Sequence, residues 1–168
     1  DDFYAGSGEF LIEYARAILE YDDANSTEFD INSSHPVISL LEEQVDVKTY
    51  GGTMRLGASD SHLLAGTLIR DIYGAPVIRE RHRHRYELSN RYRQELSEAG
   101  LRMAAVTSDH SLVESVQWPD HPWGIGVQFH PEFKSRPTAA HPLFASFVAE
   151  TIALHNRAPR HVHAGSSA

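Results

Sequence analysis

The sequence predicts an α/β protein in which helices flank a layered sheet. Segments with helical spacing of apolar residues alternate along the chain with short apolar runs bounded by glycine, proline and polar turns, which are typical of strands. One such run, Gly124 to His130, leads directly into a proline and a carboxylate. A final strand that delivers reactive side chains at its carboxyl end fits an α/β sheet with a site at its edge.

The composition is that of an ordinary single globular domain. The chain has 168 residues, of which 41% are hydrophobic and 23% are charged, and this length is sufficient for a core. No apolar run approaches the ~20 residues that cross a membrane, and no signal peptide is visible, so no membrane partner is expected. The net charge of −8 argues against general nucleic-acid binding. The absence of cysteine excludes disulfides and fits a cytoplasmic location.

Four segments have the periodicity of helices. In the first, Phe10–Tyr21, apolar side chains recur every three or four positions and charged side chains occupy the opposite side. A glycine ends each of the next two helices, and a proline suited to a first turn begins the last. These three helices are the second half of His62–Tyr73, Asn90–Ala99 and Pro142–His155. We expect one domain over residues 1–156 and a flexible polar tail over residues 157–168.

Short apolar or alternating runs predict the strands. In chain order these runs are Val45–Tyr50, Thr53–Leu56, Val77–Glu87, Leu101–Val106, Leu112–Val116 and the run that ends at His130. Gly57 is expected to end the second of them. Ala24–Phe29 has the composition of a polar turn, and Val37–Leu41 is a short apolar element that could be helix or strand.

The third of these predicted strands is rich in basic residues. Alternation in a strand places His82 and His84 on one face. The opposite face then carries Arg81, Arg83 and Arg85. Two histidines at this spacing can begin a zinc site, but no cysteine or third ligand lies nearby in the sequence, so we predict no metal site.

The strongest chemical signal is the segment from His130 to Glu132. Pro131 cannot donate to a sheet ladder, so the strand is expected to stop at His130 and leave its ring at the rim of the sheet. Glu132 is close enough to hydrogen-bond the imidazole and to stabilise its charged form, as the base and its orienting carboxylate do in a nucleophilic triad. An isolated His-Pro-Glu could equally be a turn whose side chains face water.

The surroundings of this segment resemble a known family. Asp120–Phe133 resembles the last catalytic motif of class I glutamine amidotransferases. Three further stretches, Asn25–Phe29, Gly51–Gly57 and Glu80–Glu87, resemble the glutaminase domain of CTP synthase in the same order. The resemblance covers Leu11 to His155 and implies a flavodoxin-like layered sheet flanked by helices. The family's domain starts several elements earlier, so we expect a partial copy of it.

The resemblance implies roles for individual residues. His130 and Glu132 match the family's catalytic pair. Glu28 matches the carboxylate that receives the α-ammonium of the substrate, and Arg85 matches the arginine that pairs with the α-carboxylate, a task suited to a forked guanidinium. Without the resemblance, Glu28 would be interpreted as a loop carboxylate in water. Arg55 falls in a segment that faces the synthetase domain in the family, so it is either an interface residue or a surface arginine on a hairpin.

The nucleophile departs from the family's pattern. The family hydrolyses glutamine through a cysteine thiolate, and this chain contains no cysteine. Alignment of the first helix places Tyr4 in the register of that cysteine, and a phenol of pKa about 10 is mostly protonated at neutral pH. Ser7 does not complete a Gly-x-Ser-x-Gly elbow, because Ala5 and Glu9 occupy the glycine positions. The chain as written is therefore not expected to hydrolyse glutamine.

Three functions are open at this point. The first is the glutaminase portion of a CTP synthase, in a truncated or altered form. The intact enzyme would aminate UTP to CTP with ATP and ammonia from L-glutamine, with Mg and a GTP effector, in a homo-oligomer that includes a synthetase domain; no cofactor is expected in this domain. The second is a non-catalytic homologue that binds an amino acid or a partner subunit through Glu28, Arg85 and His130. The third is a serine hydrolase using Ser7, which the incomplete elbow disfavours.

Overall fold

The computed structural model describes residues 7–40 and 54–157. In chain order the elements are α1 (Ser7–Ile18), β1 (Asn25–Ser26), β2 (Pro36–Ser39), β3 (Arg55–Leu63), α2 (Leu68–Tyr73), β4 (Val77–His84), β5 (Glu87–Leu88), α3 (Asn90–Glu98), β6 (Arg102–Thr107), β7 (Val113–Trp118), β8 (Gly124–Val127) and α4 (Pro142–Arg157). A 3₁₀ turn over Pro131–Phe133 follows β8. Within the described ranges, no helix is long and apolar enough to cross a membrane.

The strands form two sheets. The larger has the order β4-β3-β6-β7-β8, with antiparallel neighbours throughout. The smaller has the order β1-β2-β5, in which β1 is parallel and β5 antiparallel to β2. Only Arg85 and Tyr86 separate β4 from β5, so this link passes from one sheet to the other. The predicted α/β class, a layered sheet flanked by helices, is confirmed.

Two apolar clusters lie on opposite faces of the larger sheet. On one face, side chains of α1 and α3 such as Leu11 and Leu96 pack with Met103 of β6. On the other face, Ala104 of the same strand packs with Leu143 of α4 and with residues of α2. Successive residues of a strand point to opposite faces, so β6 contributes to both clusters. Helices therefore cover both faces of the sheet, which leaves its strand ends available for a site.

Several predicted boundaries change in the structure. Gly57 does not end a strand: it pairs with His82 inside β3 and has a φ of 99°, which glycine adopts without the steric cost that a Cβ would bring. Gly74, in contrast, caps α2 with a φ of 64°, as predicted. The element Val37–Leu41, which could be helix or strand, contains strand β2 in its described part, and Leu41 lies outside the described residues. The predicted strand Val45–Tyr50 lies outside the described residues.

Both ends of the chain can be compared with the prediction only in part. The first helix starts at Ser7 rather than at Phe10. The last helix extends to Arg157, one residue into the predicted tail, and residues 158–168 lie outside the described residues.

Candidate active site

His130 lies on the segment between β8 and the 3₁₀ turn. The ladder of β8 ends at Val127, earlier than predicted, because the backbone beyond it leaves β7. The Gln128 N–H still donates to the Glu114 carbonyl of β7 at 2.9 Å, but the His130 N–H donates to the Arg81 carbonyl of β4 at 2.8 Å. Strand β4 is the opposite edge of the larger sheet, so the sheet curls and its two edges meet at His130.

The predicted contact between His130 and Glu132 is present. Glu132 Oε1 lies 2.7 Å from His130 Nδ1, and Pro131 begins the turn that brings the carboxylate back to the ring. The ring stacks on Phe133 with centroids 4.8 Å apart. A carboxylate oxygen accepts, so Nδ1 carries a proton and Nε2 becomes the nitrogen that can exchange a proton with a reactant. The Glu132 side chain is 34% exposed and that of His130 is 10% exposed, whereas Glu132 Oε2 is buried without a hydrogen-bond partner among the described residues.

Glu28 and Arg85 each lie two residues from a strand of the smaller sheet. Glu28 follows β1, where its N–H donates to Ser26 Oγ at 3.2 Å, and Arg85 lies in the link between β4 and β5. Because β2 separates β1 from β5 and neighbouring strands are ~4.8 Å apart, β1 and β5 lie about 10 Å apart. Both side chains are half-buried. Groups of opposite charge thus flank the two outer strands of the smaller sheet; their roles as substrate ligands stay predictions.

A cluster of ionisable side chains lies beneath this site. Its members are Arg55, His82, His84, Glu87 and Glu114, and all but Arg55 are fully buried. The guanidinium of Arg55 donates to Glu114 Oε1 at 2.7 Å and lies 3.5 Å from Glu87 Oε1. His82 Nδ1 and His84 Nε2 are 2.9 Å apart. The cluster joins three strands of the larger sheet to β5, the strand next to Arg85.

Burial determines the ionisation of this cluster. It lowers the pKa of His82 and of His84 to about 3, and the positive charge of Arg55 acts in the same direction, so both rings are neutral at pH 7. Burial raises the pKa of Glu87 to about 7 against the opposing charge of Arg55, with a further contribution from Glu114. Burial likewise raises the pKa of Glu114. The cluster therefore disfavours every charge except that of the arginine.

The same geometry decides two expectations from the sequence. The alternation of β4 is confirmed, because His82 and His84 are buried whereas Arg81 and Arg83 are exposed. The interpretation of Arg55 as a surface arginine is wrong, because its side chain is only 20% exposed and turns toward two buried glutamates. A contact of Arg55 with another domain stays a prediction.

A third buried carboxylate, outside this cluster, holds the loop that follows Glu132. Glu80 of β4 accepts hydrogen bonds from Lys134 Nζ at 2.9 Å and from the Tyr73 hydroxyl at 3.2 Å, and His141 Nε2 lies 3.3 Å away. Burial would raise the pKa of Glu80, but the hydrogen bonds from His141 and Lys134 outweigh it, so this pKa is lowered. The loop is thus tied to strand β4 at Glu80, and the carbonyl of the following residue, Arg81, accepts the His130 N–H.

Comparison with known proteins decides the family. The model of the family described as glutamine amidotransferase class-I matches residues 12–150. The chain belongs to this family. It is 51% identical over 143 residues to a CTP synthase of Desulfitobacterium hafniense, covering 85% of this chain and 27% of that protein. A CTP synthase of Flavobacterium psychrophilum is 51% identical over 147 residues, with coverage of 88% and 27%.

A solved structure agrees with these relatives. The glutaminase domain of Trypanosoma brucei CTPS with bound acivicin superposes with a TM-score of 0.80 at 36% identity, and covers 87% of this chain and 57% of that one. The predicted resemblance to the CTP synthase glutaminase domain is therefore confirmed. The amidotransferase chain spans about a quarter of the length of the curated CTP synthases it matches, since the shared region is 27% of each.

The described residues do not test the predicted departure at the nucleophile position of this amidotransferase site. Tyr4 lies outside them, so its place in the register of the family's cysteine stays a prediction. Ser7 is the first residue of α1. Among the residues that the structure describes, no group of three or more histidine, aspartate or glutamate side chains is arranged to hold a metal ion.

Sequence reasoning missed the burial of three glutamates, Glu80, Glu87 and Glu114. Glu114 stands in the apolar run of β7, and this is a signal that could have been used, because a carboxylate in such a run needs a buried partner. Its partner Arg55 is 59 positions away in the sequence, so only the sheet order identifies it. Glu80 alternates with the two histidines on the buried face of β4, which the predicted periodicity could have revealed.

Proposed function

We propose that this chain is the glutamine-binding part of the glutaminase domain of a CTP synthase. The observation that carries the proposal is the His130–Glu132 pair at the meeting edges of the sheet, with a 2.7 Å hydrogen bond and partial access to water. The family match and the identity to CTP synthases support it. The similar Trypanosoma brucei domain has acivicin bound, and we propose L-glutamine as the ligand of this chain.

The ligand is held at its two charged ends. Glu28 receives the α-ammonium, and Arg85 pairs with the α-carboxylate through two parallel N–H donors. A D-amino acid or a glutamine without its α-carboxylate would lose one of these contacts. The side-chain amide then points toward the His130 ring. This amide is the only part of the ligand where chemistry is needed.

His130 supplies proton transfer in this proposal. In a complete amidotransferase site a thiolate attacks the amide carbon, and His130 holds the thiol proton. When the C–N bond breaks, Nε2 returns this proton to the nitrogen, so that ammonia leaves, and water then converts the thioester to glutamate. Glu132 keeps the ring oriented and stabilises its charged form. Because this chain has no cysteine, we propose that it does not complete the reaction on its own.

The whole protein would use the ammonia for nucleotide synthesis. We propose that it is a ligase of pyrimidine biosynthesis that aminates UTP to CTP with ATP and Mg, under the influence of GTP. The synthetase domain, the homo-oligomeric state and the cytoplasmic location belong to this proposal. The chain covers 27% of such relatives, so none of these sites is assigned to its residues.

A second candidate is a non-catalytic homologue that acts as a binding or regulatory subunit. The observation that favours it is the absence of cysteine in a chain that keeps Glu28, Arg85 and His130. The full-length gene separates the two candidates. A synthetase domain with a phosphate-binding loop upstream supports the first, and its absence supports the second.

Calorimetry with L-glutamine tests the proposed site. We expect weak binding by the 168-residue chain and an affinity at least about tenfold lower in Arg85→Ala, because a charge-assisted hydrogen-bonded pair is lost. Arg81→Ala is the matched control, since it removes an exposed arginine of the same stretch and leaves the backbone carbonyl that binds His130. Equal effects of the two substitutions would contradict the assignment of Arg85.

Hydrolysis is tested separately. We expect no release of glutamate from L-glutamine above the buffer background, because the chain supplies no thiol. His130→Ala is the control for contaminating glutaminase, whose activity the substitution would leave unchanged. Glutamate release that persists through purification and disappears in His130→Ala would show that another nucleophile operates in this chain.

A further inference from the structure

In the buried cluster, His82 is hydrogen-bonded to His84 and His84 to the Tyr86 carbonyl. The carbonyl end determines which atom donates in each bond. His84 Nδ1 lies 3.2 Å from the Tyr86 carbonyl oxygen, which can only accept, so Nδ1 carries a proton. The ring is neutral at pH 7, because burial holds its pKa near 3, and Nε2 is then an acceptor. His82 Nδ1, at 2.9 Å from this Nε2, must therefore be the donor.

The same reasoning extends to Glu114. Neutral His82 has its acceptor at Nε2, which faces Glu114 Oε2 at 3.5 Å, and neither atom has a hydrogen-bond partner among the described residues. Two acceptors would face each other in the interior if Glu114 were ionised. A proton on Oε2 removes this conflict, while Oε1 still accepts from Arg55 at 2.7 Å. Glu87 differs, because its Oε1 faces two donors, Arg55 and His84, at 3.5 and 3.4 Å.

The row of side chains from His84 through His82 to Glu114 reaches the two halves of the proposed site. At one end, the Tyr86 carbonyl belongs to the residue after Arg85, the proposed ligand of the α-carboxylate. At the other end, the Glu114 backbone carbonyl accepts the Gln128 N–H at 2.9 Å, on the segment that leads to His130. A displacement at Glu114 would therefore be felt on both sides.

We propose that Glu114, His82 and His84 are positioning residues that form a proton-ordered relay. Protonated Glu114 donates to His82, His82 donates to His84, and His84 donates to the Tyr86 carbonyl. The relay fixes the Arg85 backbone relative to the segment that carries His130. It rests on the proposed function only in the identity of the ligand that Arg85 binds.

Two substitutions of one residue separate this relay from ordinary packing. In Glu114→Gln, the amide nitrogen can donate to His82 Nε2 and the amide oxygen can accept from Arg55, so the relay persists. Glu114→Leu fills a similar volume and cannot donate. We expect L-glutamine affinity within about twofold of wild type for the Gln variant and about tenfold lower for the Leu variant. Ser115→Ala is the control. Ser115 lies beside Glu114 on β7, and its buried hydroxyl donates to the Gly126 carbonyl of β8. This variant is expected to keep its affinity for L-glutamine.

Nuclear magnetic resonance gives a readout that needs no ligand. Multiple-bond ¹H–¹⁵N spectra of the wild-type chain and of Glu114→Gln are expected to show His82 and His84 as neutral Nδ1–H tautomers at pH 7. The backbone amide signals of Arg85 and Tyr86 are expected to move in Glu114→Leu and to remain in place in Glu114→Gln.

The outcomes are distinct. An Nε2–H tautomer or an imidazolium at His82 or His84 overturns the relay. A Gln variant that perturbs the Arg85 and Tyr86 amides as much as the Leu variant does also overturns it. A wild-type chain that binds no glutamine but shows the expected tautomers and amide shifts supports the relay and refutes the proposed glutamine site alone.

Discussion

Two arrangements of histidine and glutamate lie close together in this fold and differ in their access to water. At the rim, His130 and Glu132 are 2.7 Å apart, and the glutamate side chain is 34% exposed. In the interior, His82 faces Glu114 at 3.5 Å and His84 faces Glu87 at 3.4 Å, with side-chain exposures of at most 3%. The residue types are the same, but the environments are opposite.

This difference separates proton exchange from positioning. A partly exposed carboxylate can stabilise a charged imidazole beside it, as acid–base chemistry requires. In the interior, desolvation disfavours every added charge, so the histidines stay neutral and the pKa of Glu87 and of Glu114 is raised. The rim pair is therefore suited to chemistry, and the interior group is suited to holding strands in a fixed arrangement.

The largest effect on stability is expected from substitution of Arg55, the arginine of the interior group. Arg55→Met removes the charge that faces Glu87 and Glu114, and we expect a loss of about 3 kcal/mol in the free energy of unfolding at pH 8, where Glu87 is ionised. Urea unfolding measures it.

Arg79→Met is the matched control for this prediction. The Arg79–Asp60 bridge is also short, at 2.8 Å, but its side chains are 65% and 46% exposed. We expect a loss below about 1 kcal/mol, because water and salt screen an exposed pair. Similar losses in the two variants would show that burial does not distinguish these bridges.

The same contrast explains what the sequence could predict. His130, Pro131 and Glu132 are consecutive, so local geometry was sufficient to predict their contact. The burial of His82 and His84 followed from strand alternation in the same way. Glu28 and Arg85 could be named only through the resemblance, since neither has a local pattern that distinguishes it from a surface residue.

Long-range relations could not be read from the sequence. The bond between the His130 N–H and the Arg81 carbonyl depends on a curled sheet whose edge strands meet, and no periodicity encodes that curl. Arg55 of β3 turns inward toward Glu114 of β7, and β6 separates these two strands in the sheet, so the pairing depends on the strand order. The strand continues through Gly57 because glycine tolerates its positive φ, whereas glycine in a sequence more often indicates a strand end.

The pH dependence of stability is expected to report the interior group. The pKa of His82 and of His84 is about 3 in the folded chain, below the ordinary value of 6.5, so the unfolded chain binds more protons and stability rises with pH from about 3. The pKa of Glu87 is raised from 4.5 to about 7, so the folded chain binds more protons above pH 4.5 and this contribution falls with rising pH.

The sum predicts a steep rise in stability from pH 3 to about 4.5, where the two histidines act alone, a rise at about half that slope up to about pH 6.5, where Glu87 opposes them, and little change above about pH 7. Urea midpoints at pH 4, 5.5, 6.5 and 8 give the profile. Glu87→Gln keeps the side-chain shape and cannot ionise, so the rise between pH 4.5 and 6.5 is expected to be steeper in this variant. An equal slope in the two proteins would assign the shallower rise to another group.

The smallest effect on stability is expected at the rim. In Glu132→Gln the amide oxygen can still accept from His130 Nδ1, and the side chain at position 132 is 34% exposed, so we expect a change below about 1 kcal/mol in urea unfolding. The Nδ1–H tautomer of the His130 ring, measured by NMR at neutral pH, is expected to be kept in this variant. Ser135→Ala, a substitution in the loop that follows, controls for local loosening and is expected to keep the same tautomer. A loss above about 2 kcal/mol in Glu132→Gln would mean that the rim pair holds the fold as the interior group does.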